Sequence, residues 1–462
     1  MTQYAVTNPA TGEVEKTYPT ASDTQIHAAI DCAHRAFGDW RRSEVATRVA
    51  LLNRVADLYA QRREALAAII SREMGKPLTQ AKGEIDIVVS IYRYYADKGP
   101  RYLEDEPIET AVGNALVRKE GLGVLLGIMP WNFPYYQVAR LAAPNLMNGN
   151  TILLKHAPQC PESAEAMEQI FRDAGAPEGV YLTIYATNQQ AADIIADPRV
   201  LGVSLTGSER AGAAVAEIAG RHLKKVVLEL GGSDPFIVLD DADLDQAVQQ
   251  ALVGRFGNAG QACNAAKRII VDDALHDDFV SAFKTAIEGI KVGDPMAADT
   301  FMGPLSSERA LQTLDAQVQD AIAQGASVLV GGQRLDRPGA WYAPTLLSGV
   351  TPEMRLFREE LFGPVAVVYR VGGEEEAIRL ANDTAYGLGA VIQSTDLARA
   401  HRIAGCLETG MVNINEAPGS AAELPFGGIK RSGFGRELGR DGMEEFVNRK
   451  VVKVGAAIAP QR

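Results

Sequence analysis

The chain has few cysteines and none of the patterns that would bind them in pairs or to a metal. Its 462 residues contain four, Cys32, Cys160, Cys263 and Cys406, which lie far apart and form no CxxC pair. A disulfide scaffold and a Cys/His metal site are therefore not indicated, and we expect no bound metal. Free thiols are typical of a reducing compartment, which favours a cytoplasmic protein.

Excess positive charge and long apolar runs are also missing. Lys and Arg total 46 against 58 Asp and Glu, so the net charge at pH 7 is −12. Nucleic-acid binding needs clustered positive charge, and no long Lys/Arg run occurs. The first residues lack the order of a secretory signal, and no apolar run reaches the ~18 residues of a membrane span. We therefore expect neither nucleic acid nor membrane as a partner.

The length and composition favour a globular protein of more than one domain. Apolar residues make up 47% of the chain and charged residues 23%, which is ordinary for a globular protein. A single hydrophobic core seldom grows beyond ~250–300 residues, so we expect two or more domains.

The first hundred residues predict helices. Ser22 followed by Gln25 matches a capping box at a helix start. The apolar residues that follow share one helical face and are Ile26, Ile30, Ala33 and Phe37. Two further helices are predicted at about 45–71 and 79–96.

From residue 121 onward, short apolar runs alternate with helical segments. Strands are predicted at 123–130, 151–155, 179–186, 202–207, 226–230, 235–241, 268–273, 327–332 and 365–371. Later helices are predicted at 275–290, 306–324 and 374–383. Strands that alternate with helices are typical of doubly wound parallel sheets, which bind ligands at the carboxyl ends of their strands. The predicted fold class is therefore α/β, with two such domains that meet near Gly231 and Gly232.

Two extended stretches with polar flanks, 110–121 and 445–454, predict strands with exposed edges. Such edges are usually paired or covered in a folded protein. Pairing in a homo-oligomer and surface strands of a monomer explain them equally well on physical grounds.

Cys263 differs from the other cysteines in its surroundings. It lies in GNAGQACNAAKR at 257–268, where small residues precede it and a helical pattern follows. We expect a tight turn into a helix start, where the macrodipole and free N–H groups would favour a thiolate. The alternative is that Cys263 is a small buried apolar residue.

Two other polar residues stand in apolar or rigid settings. Glu229 ends the apolar run VVLEL, where desolvation would raise its pKa toward that of a general base. Asn132 lies between two prolines in PWNFP, where a rigidly held amide could serve as an oxyanion donor. Glu229 could equally be a structural carboxylate that bonds to loop amides. For Asn132 a structural role is the better explanation of this segment taken alone.

Two weaker motifs could contact a cofactor. LTGSERAG at 205–212 predicts a strand, a turn and a helix start that could hold a pyrophosphate on its amides. EELFGP at 359–364 could be an ordinary loop. No GxSxG, P-loop or HExxH motif occurs, so the sequence lacks the usual signatures of serine hydrolases, nucleoside triphosphatases and zinc peptidases.

PWNFP, LTGS, LELGG, GQxC and EExFGP, in this order and register, resemble the NAD(P)-dependent aldehyde dehydrogenase superfamily over nearly the whole chain. Within it, LKHAP, LELGGSDPFIV, AAKR and LPFGGIKRSGFGREL are most similar to bacterial succinate-semialdehyde dehydrogenases. The resemblance implies a dinucleotide-binding domain (1–108 and 124–231), a catalytic domain (232–440) and an oligomerisation hairpin and tail (109–123 and 441–462). It implies a homodimer or homotetramer.

The resemblance also implies roles for individual residues. Cys263 matches the nucleophile, Glu229 the general base and Asn132 the oxyanion-hole side chain. The implied cofactor-binding residues are Met129, Pro130, Trp131, Lys155, Ala157, Pro158, Gly207, Ser208, Leu230, Gly231, Glu360 and Phe362. The implied substrate-binding residues are Arg140, Tyr136, Ala262, Asn264 and Ser420.

The implied reaction is NAD(P)-dependent oxidation of succinate semialdehyde through a thiohemiacetal and a thioester. Arg140 stands where many relatives have a large aromatic residue, and its guanidinium could grip the distal carboxylate of the substrate. Ala262 and Asn264 differ from some close relatives, which leaves the preferred chain length open. Pro158 stands where many NAD-preferring relatives have Glu, so NAD and NADP both remain candidates.

Other functions remain open at this point. The substrate could be another semialdehyde, such as glutarate semialdehyde, or a neutral aliphatic aldehyde. The same thiol and base could instead serve a cysteine-dependent esterase or thioesterase, or the pocket could be retained in a binding protein. Lys155, Ser208 and Glu360 argue against the last two, because neither needs a nicotinamide site.

Overall fold

The computed structural model describes residues 4–111 and 113–455, so residues 456–462 of the predicted tail lie outside the described residues. The helices are α1 Asp23–Trp40, α2 Val45–Gln61, α3 Arg63–Met74, α4 Leu78–Tyr102, α5 Tyr136–Met147, α6 Pro161–Asp173, α7 Asn188–Ala196, α8 Glu209–Arg221, α9 Leu244–Phe256, α10 Asp273–Glu288, α11 Glu308–Ala323, α12 Arg355–Arg358, α13 Glu374–Asn382, α14 Leu397–Ala404 and α15 Asp441–Glu444. A 3₁₀ turn spans Gly257–Gly260.

The strands form three larger sheets and two small pairs. They are β1 Tyr4–Thr7, β2 Val14–Tyr18, β3 Glu106–Ile108, β4 Asn114–Gly121, β5 Val124–Met129, β6 Thr151–His156, β7 Tyr181–Thr183, β8 Val200–Thr206, β9 Lys225–Glu229, β10 Asp234–Val238, β11 Ala266–Asp272, β12 Ser327–Val330, β13 Thr345–Ser348, β14 Val365–Val371, β15 Tyr386–Gly387, β16 Gly389–Gln393, β17 Met411–Ile414, β18 Ile429–Lys430, β19 Gly433–Phe434 and β20 Val447–Val454.

The first large sheet has the order β19-β9-β8-β5-β6-β7 and is parallel except for β19. Successive residues of its strands enter different cores. Leu125 packs with α2 to α6 in one core, whereas Val124 and Leu126 pack with α1, α7 and α8 in another. Because both faces are covered by helices, the strands are apolar on both sides. Glu229 therefore stands at the carboxyl end of a buried strand.

The second large sheet has the order β12-β13-β14-β11-β10-β16-β17 and is parallel except for β12. Its faces also enter two cores, one holding Phe236 and the other Ile237. The predicted α/β class with two mainly parallel, doubly covered sheets is confirmed. The predicted domain limits stay a prediction, and β19, within the range 232–440, pairs with β9 of the first sheet.

The third sheet, β20-β4-β3, contains the two extended stretches that the sequence predicts. β20 pairs antiparallel with the whole of β4, from Val447 opposite Gly121 to Val454 opposite Asn114. The outer strand exposes apolar side chains, with Val451 and Val454 both 63% exposed. One edge of each predicted strand is therefore covered within the chain, while β20 keeps a free edge among the described residues.

Helix α1 confirms its sequence signals. The Ser22 hydroxyl accepts a hydrogen bond from the Gln25 backbone N–H, and the side-chain oxygen of Gln25 accepts one from the Ser22 backbone N–H. The four predicted apolar residues are buried. The single helix predicted over 45–71 is wrong, since α2 and α3 are separated at Arg62. The run at 179–186 forms a strand only over β7, and β13, β16 and β17 have no counterpart among the predicted strands.

Among residues 4–111 and 113–455, no helix has the length and apolar character needed to cross a membrane. In the same part of the chain, no three His, Cys, Asp or Glu side chains are grouped so that they could hold a metal ion.

A buried ion pair ties helix α4 to the segment that leads into α5. Lys76 and Glu84 form a salt bridge in which both side chains are at most 1% exposed. The other carboxylate oxygen of Glu84 accepts hydrogen bonds from the amides of Tyr135 (2.9 Å) and Tyr136 (3.1 Å). Because no side chain of the α5 N-cap performs this task, Glu84 caps α5 from a neighbouring helix.

We expect Glu84→Ala to lower the free energy of unfolding by about 3–5 kcal/mol, because it leaves the Lys76 charge buried without its partner. Urea denaturation of the full chain measures this loss. Asp86→Ala is the matched control on the same helix, because its pair with Arg63 is exposed and contributes about 0–1 kcal/mol. Equal losses for the two variants would contradict the assigned role of Glu84.

Candidate active site

Two cavities meet at Cys263, between the two large sheets. The larger, about 480 Å³, is lined by these predicted residues: Pro130, Trp131, Asn132, Gly207, Ser208, Glu229, Leu230, Gly231, Glu360 and Phe362. The smaller, about 270 Å³, is lined by Tyr136, Arg140, Asn264 and Ser420. Met129, Lys155, Ala157, Pro158 and Ala262 are not among the residues that line either cavity.

Cys263 lies in a loop between the 3₁₀ turn Gly257–Gly260 and strand β11, so the predicted helix start after it is wrong. The segment Ala266–Asp272 instead enters the middle of the second sheet, between β10 and β14. Asn258 and Ala259 before the loop have positive φ angles of 52° and 53°. Hydrogen bonds hold this bend, since Asn258 donates its amide to Gln80 (2.8 Å) and its side chain to the Asn132 carbonyl (3.0 Å).

The thiol of Cys263 is not activated in the way the sequence predicts. Burial raises its pKa to about 12, although the nearby cations of Arg140 and Lys267 act in the opposite direction. No helix N-terminus offsets this cost. The surroundings of Cys263 therefore favour the protonated thiol.

Glu229 ends strand β9 and faces the larger cavity. Burial raises the pKa of its carboxyl well above the ordinary value, and Arg140 acts against this shift. Both carboxyl oxygens are buried, and neither has a hydrogen-bond partner within the described residues. A buried acid without protein partners at a cavity wall is suited to exchange a proton with a water molecule.

Asn132 is buried and points its amide toward the loop of the nucleophile. Its Nδ2 donates to the carbonyl of Gln261 at 3.0 Å. A side-chain amide has two N–H groups, so this contact leaves one of them unused at a residue that lines the cavity. The Gln261 side chain in turn accepts from the Ser306 amide at 2.9 Å. The predicted rigidity around Asn132 therefore comes from these contacts as well as from the flanking prolines.

Arg140 is 1% exposed and lies on helix α5. Its Nε stands 2.6 Å from a carboxylate oxygen of Glu437, and its Nη1 donates to the Tyr136 hydroxyl at 3.4 Å. The guanidinium also lies over the rings of Tyr136 and Phe426, at 5.0 and 4.4 Å from their centroids. Its Nη2 has no hydrogen-bond partner in the part of the chain described. Although burial opposes the charge, Glu437 keeps the pKa of Arg140 raised.

Ser420 and Asn264 complete the smaller cavity beside Arg140. The Tyr136 hydroxyl donates to Ser420 at 2.8 Å, which joins the loop before LPFGG to helix α5. Tyr136, Arg140 and Ser420 thus form one chain of polar contacts. The structure brings these predicted substrate-binding residues together on one wall.

The larger cavity has features that suit a dinucleotide. Ser208 is the N-cap of α8, so the predicted strand, turn and helix start over 205–212 are confirmed. A Cβ atom at Gly231 would lie 2.3 Å from a carboxylate oxygen of Glu360, so glycine leaves room for the carboxylate in this position. Glu360 also accepts from the Gly232 amide at 3.0 Å. The ring of Phe362 meets Trp131 edge-on at 5.6 Å.

Lys155 is a buried cation near the carboxyl end of strand β6. Burial lowers the pKa of its ammonium to about 8, and the ammonium lies over the Tyr4 ring at 5.9 Å from its centroid. No carboxylate or carbonyl within the described ranges bonds to it, so a ligand hydroxyl or phosphate would supply a missing partner. Met129 is buried, and the backbone of Ala157 and Pro158 is bonded to His156 and Ala5.

Three side chains without a predicted role contact the proposed catalytic and substrate-binding residues. Glu437 pairs with Arg140, Lys267 donates to the Cys263 carbonyl, and Gln261 links Asn132 to the nucleophile loop. All three stand in stretches that carry the family resemblance. Only their positions in the fold reveal their contacts.

Comparison with known proteins agrees with these features. The aldehyde dehydrogenase family profile matches residues 1–452. A succinate-semialdehyde dehydrogenase [NADP(+)] from Deinococcus radiodurans is 55% identical over 450 residues, 97% of this chain and 94% of that protein. A probable succinate-semialdehyde dehydrogenase [NADP(+)] from Synechocystis is 46% identical over 97% of this chain and 99% of that protein.

Among solved structures, the succinic semialdehyde dehydrogenase from Streptococcus pyogenes in complex with NADP+ is similar with a TM-score of 0.96. It is 43% identical, and the match covers 98% of this chain and all of that chain. The profile match, the identity to these relatives and the shared fold lead to one conclusion: the chain belongs to the aldehyde dehydrogenase family.

Proposed function

We propose that this protein oxidises succinate semialdehyde to succinate with NADP+ or NAD+. The observation that supports this substrate is the environment of Arg140. It is a buried guanidinium on the wall of the cavity that includes Cys263, and its Nη2 has no hydrogen-bond partner among the described residues. The similar enzymes from Deinococcus radiodurans and Streptococcus pyogenes, named for this substrate and for NADP+, support the same choice.

The substrate would lie in the smaller cavity with its carbonyl carbon at Cys263. Nη2 of Arg140 would bind the distal carboxylate, because a charge-assisted hydrogen bond satisfies a donor nitrogen that has no hydrogen-bond partner among the described residues. The Tyr136 hydroxyl accepts from the guanidinium and donates to Ser420, so it fixes the position of the guanidinium relative to the loop that carries Ser420. Ala262 and Asn264, which flank the nucleophile, would limit the length of the chain that fits.

Cys263 would lose its thiol proton to a water molecule and attack the carbonyl carbon as a thiolate, and the electron pair of the C=O bond would move to oxygen to give the thiohemiacetal oxyanion. The free N–H of the Asn132 amide and the backbone N–H of Cys263 would stabilise the oxyanion. A bound nicotinamide supplies the acceptor for the hydride that leaves this carbon. A thioester then remains on Cys263.

Glu229 would take a proton from a water molecule, which attacks the thioester and releases succinate. Its raised pKa makes it a stronger base than an exposed carboxylate, and neither of its oxygens has a hydrogen-bond partner among the described residues. Loss of the thioester returns the Cys263 thiolate for the next turnover.

The larger cavity would hold the dinucleotide. Amides at Ser208 and Gly207 would bind the pyrophosphate at the α8 N-terminus, and Lys155 would bind the ribose of adenosine. Glu360 and Phe362 would contact the ribose of nicotinamide. The remaining contacts would come from Met129, Pro130, Trp131, Ala157, Pro158, Leu230 and Gly231.

We also propose that the protein is a homodimer or homotetramer in the cytoplasm, with 1–108 and 124–231 as cofactor domain and 232–440 as catalytic domain. The hairpin 109–123 and the tail 441–462 would form the subunit contact. The free edge of β20 and its exposed valines support this contact, because such an edge is normally paired. Sedimentation velocity measures the assembly, and a monomer would contradict it.

The proposed activity is tested by the absorbance of reduced nicotinamide after succinate semialdehyde and either cofactor are added. We expect turnover in the wild type and none in Cys263→Ala, because the covalent step has no other nucleophile. Glutarate semialdehyde and neutral aldehydes form the comparison panel. Silence with every aldehyde would refute the dehydrogenase function, and turnover by Cys263→Ala would refute the nucleophile.

Replacement of Glu229 by Gln should slow acid release more than hydride transfer. We expect a single-turnover burst of reduced cofactor followed by slow turnover, which stopped-flow absorbance can resolve. In the wild type, acid release should accelerate as the pH rises through the raised pKa of Glu229, because only the carboxylate accepts a proton. This acceleration should be absent from Glu229→Gln, and loss of the burst itself would point to another role.

Arg140→Leu should weaken transition-state binding of succinate semialdehyde by about 2–4 kcal/mol, because it removes a buried charged contact. The measurement is kcat/KM for succinate semialdehyde and for butanal, which has the same chain length without the carboxylate. The value of kcat/KM for butanal should change little. Equal losses for the two substrates would reject Arg140 as the carboxylate-binding residue.

A further inference from the structure

Lys267 is a buried cation on strand β11 that has no role in the reaction described above. Its side chain is 1% exposed, and it belongs to the AAKR stretch that follows the nucleophile. We propose that Lys267 is a positioning residue that holds the peptide of Cys263 in place and sets a positive charge beside its thiol. This inference rests on the proposed role of Cys263 as the nucleophile.

The ammonium of Lys267 donates hydrogen bonds to several backbone carbonyls of the nucleophile loop. Its Nζ donates to the carbonyls of Cys263 (2.7 Å), Ala262 (3.1 Å) and Ala265 (3.4 Å). An ammonium has three N–H groups, so these contacts use its full donor capacity. The carbonyls of the turn are thereby drawn toward Lys267.

The same carbonyl of Cys263 is packed against Gly232. A Cβ atom at Gly232 would lie 2.7 Å from the Cys263 carbonyl oxygen. The Cys263 carbonyl is therefore bonded to a buried ammonium and lies against a backbone that tolerates no side chain. A carbonyl fixed in this way restricts the orientation of the loop that carries the thiol.

The charge of Lys267 also acts on the thiol. The charged groups that face Cys263 are Arg140, Lys267, Glu229 and Glu360. The groups that face Lys267 are Glu360, Asp234, Arg255 and Cys263. Of the two cations near the thiol, only Lys267 also bonds to the peptide of Cys263. Burial lowers the pKa of Lys267, while Glu360, 3.6 Å away, favours its charged form.

A purely structural role predicts a different result from a role in positioning the thiol. If Lys267 only closes the turn, its loss would loosen the loop, and the thiol would react as fast as before or faster. If Lys267 stabilises the thiolate, its loss would slow the reaction of the thiol with an alkylating reagent even in a folded protein. Alkylation of Cys263 separates these cases, and it requires no aldehyde.

The test is the rate of alkylation of Cys263 by iodoacetamide in the full-length enzyme, followed by mass spectrometry between pH 7 and 10. Because burial raises the pKa of the Cys263 thiol above its ordinary value, the rate should rise over this whole range. We expect Lys267→Met to react about tenfold more slowly at each pH, which corresponds to one pKa unit. Lys267→Arg keeps the charge and should stay within about threefold of the wild type.

Lys119→Met is the matched control. Lys119 is also buried and also donates to a carbonyl, that of Tyr102 at 3.1 Å, but it lines neither cavity at Cys263. The alkylation rate of Cys263 in Lys119→Met should equal that in the wild type. A rate for Lys267→Met within twofold of the wild type, or faster, would overturn the proposal, as would equal slowing by Lys267→Arg.

If Lys267→Met does not fold, Lys267→Gln is judged by the same limits, since it removes the charge and keeps a donor. The two proposals fail in distinguishable ways. A wild type that oxidises no aldehyde would refute the proposed function, whatever the alkylation rates. An active wild type whose alkylation does not depend on Lys267 would refute only the role of Lys267.

Discussion

The burial of charge is the constraint on which the site depends. Arg140, Glu229, Lys267 and Glu437 are each 4% exposed or less, and each has a group of opposite charge as a neighbour. Removal of an ion from water costs several kcal/mol, which nearby opposite charge and hydrogen bonds offset. Burial raises the pKa of both acids, so each stays protonated over a wider pH range than an exposed carboxyl. The guanidinium then keeps positive charge available for an anionic substrate.

Much of the site could be predicted because its residues stand in short local motifs. Asn132, Ser208 and Glu229 each follow or end a strand of one parallel sheet, and the carboxyl ends of such strands converge. The surroundings of Cys263 could not be predicted in this way. Ala and Lys after the cysteine favour a helix locally, but a central position in the second sheet overrides this preference. Long-range partners such as Glu437 leave no local signal.

The fold was predictable where the apolar pattern is long and less so where strands are short. Helix α1 has a capping box and a continuous apolar face, and both are found. Strand β16, by contrast, is only GAVIQ, and it begins with Gly and Ala, which have low strand propensity. Its position is set by β10 and β17 on either side. Tertiary pairing therefore decides such segments, and one sequence alone does not reveal it.

The return of the chain to the first sheet at β19 has a consequence for biosynthesis. Gly433 pairs with Glu229, and the carbonyl of Ser432 accepts from the Leu230 amide at 3.0 Å. During translation at ~5–20 residues per second, the strand that carries Glu229 leaves the ribosome long before this edge partner exists. The edge of β9 at Glu229 therefore lacks this partner until synthesis has passed Gly433, and the part of the active site that Glu229 forms is completed only then.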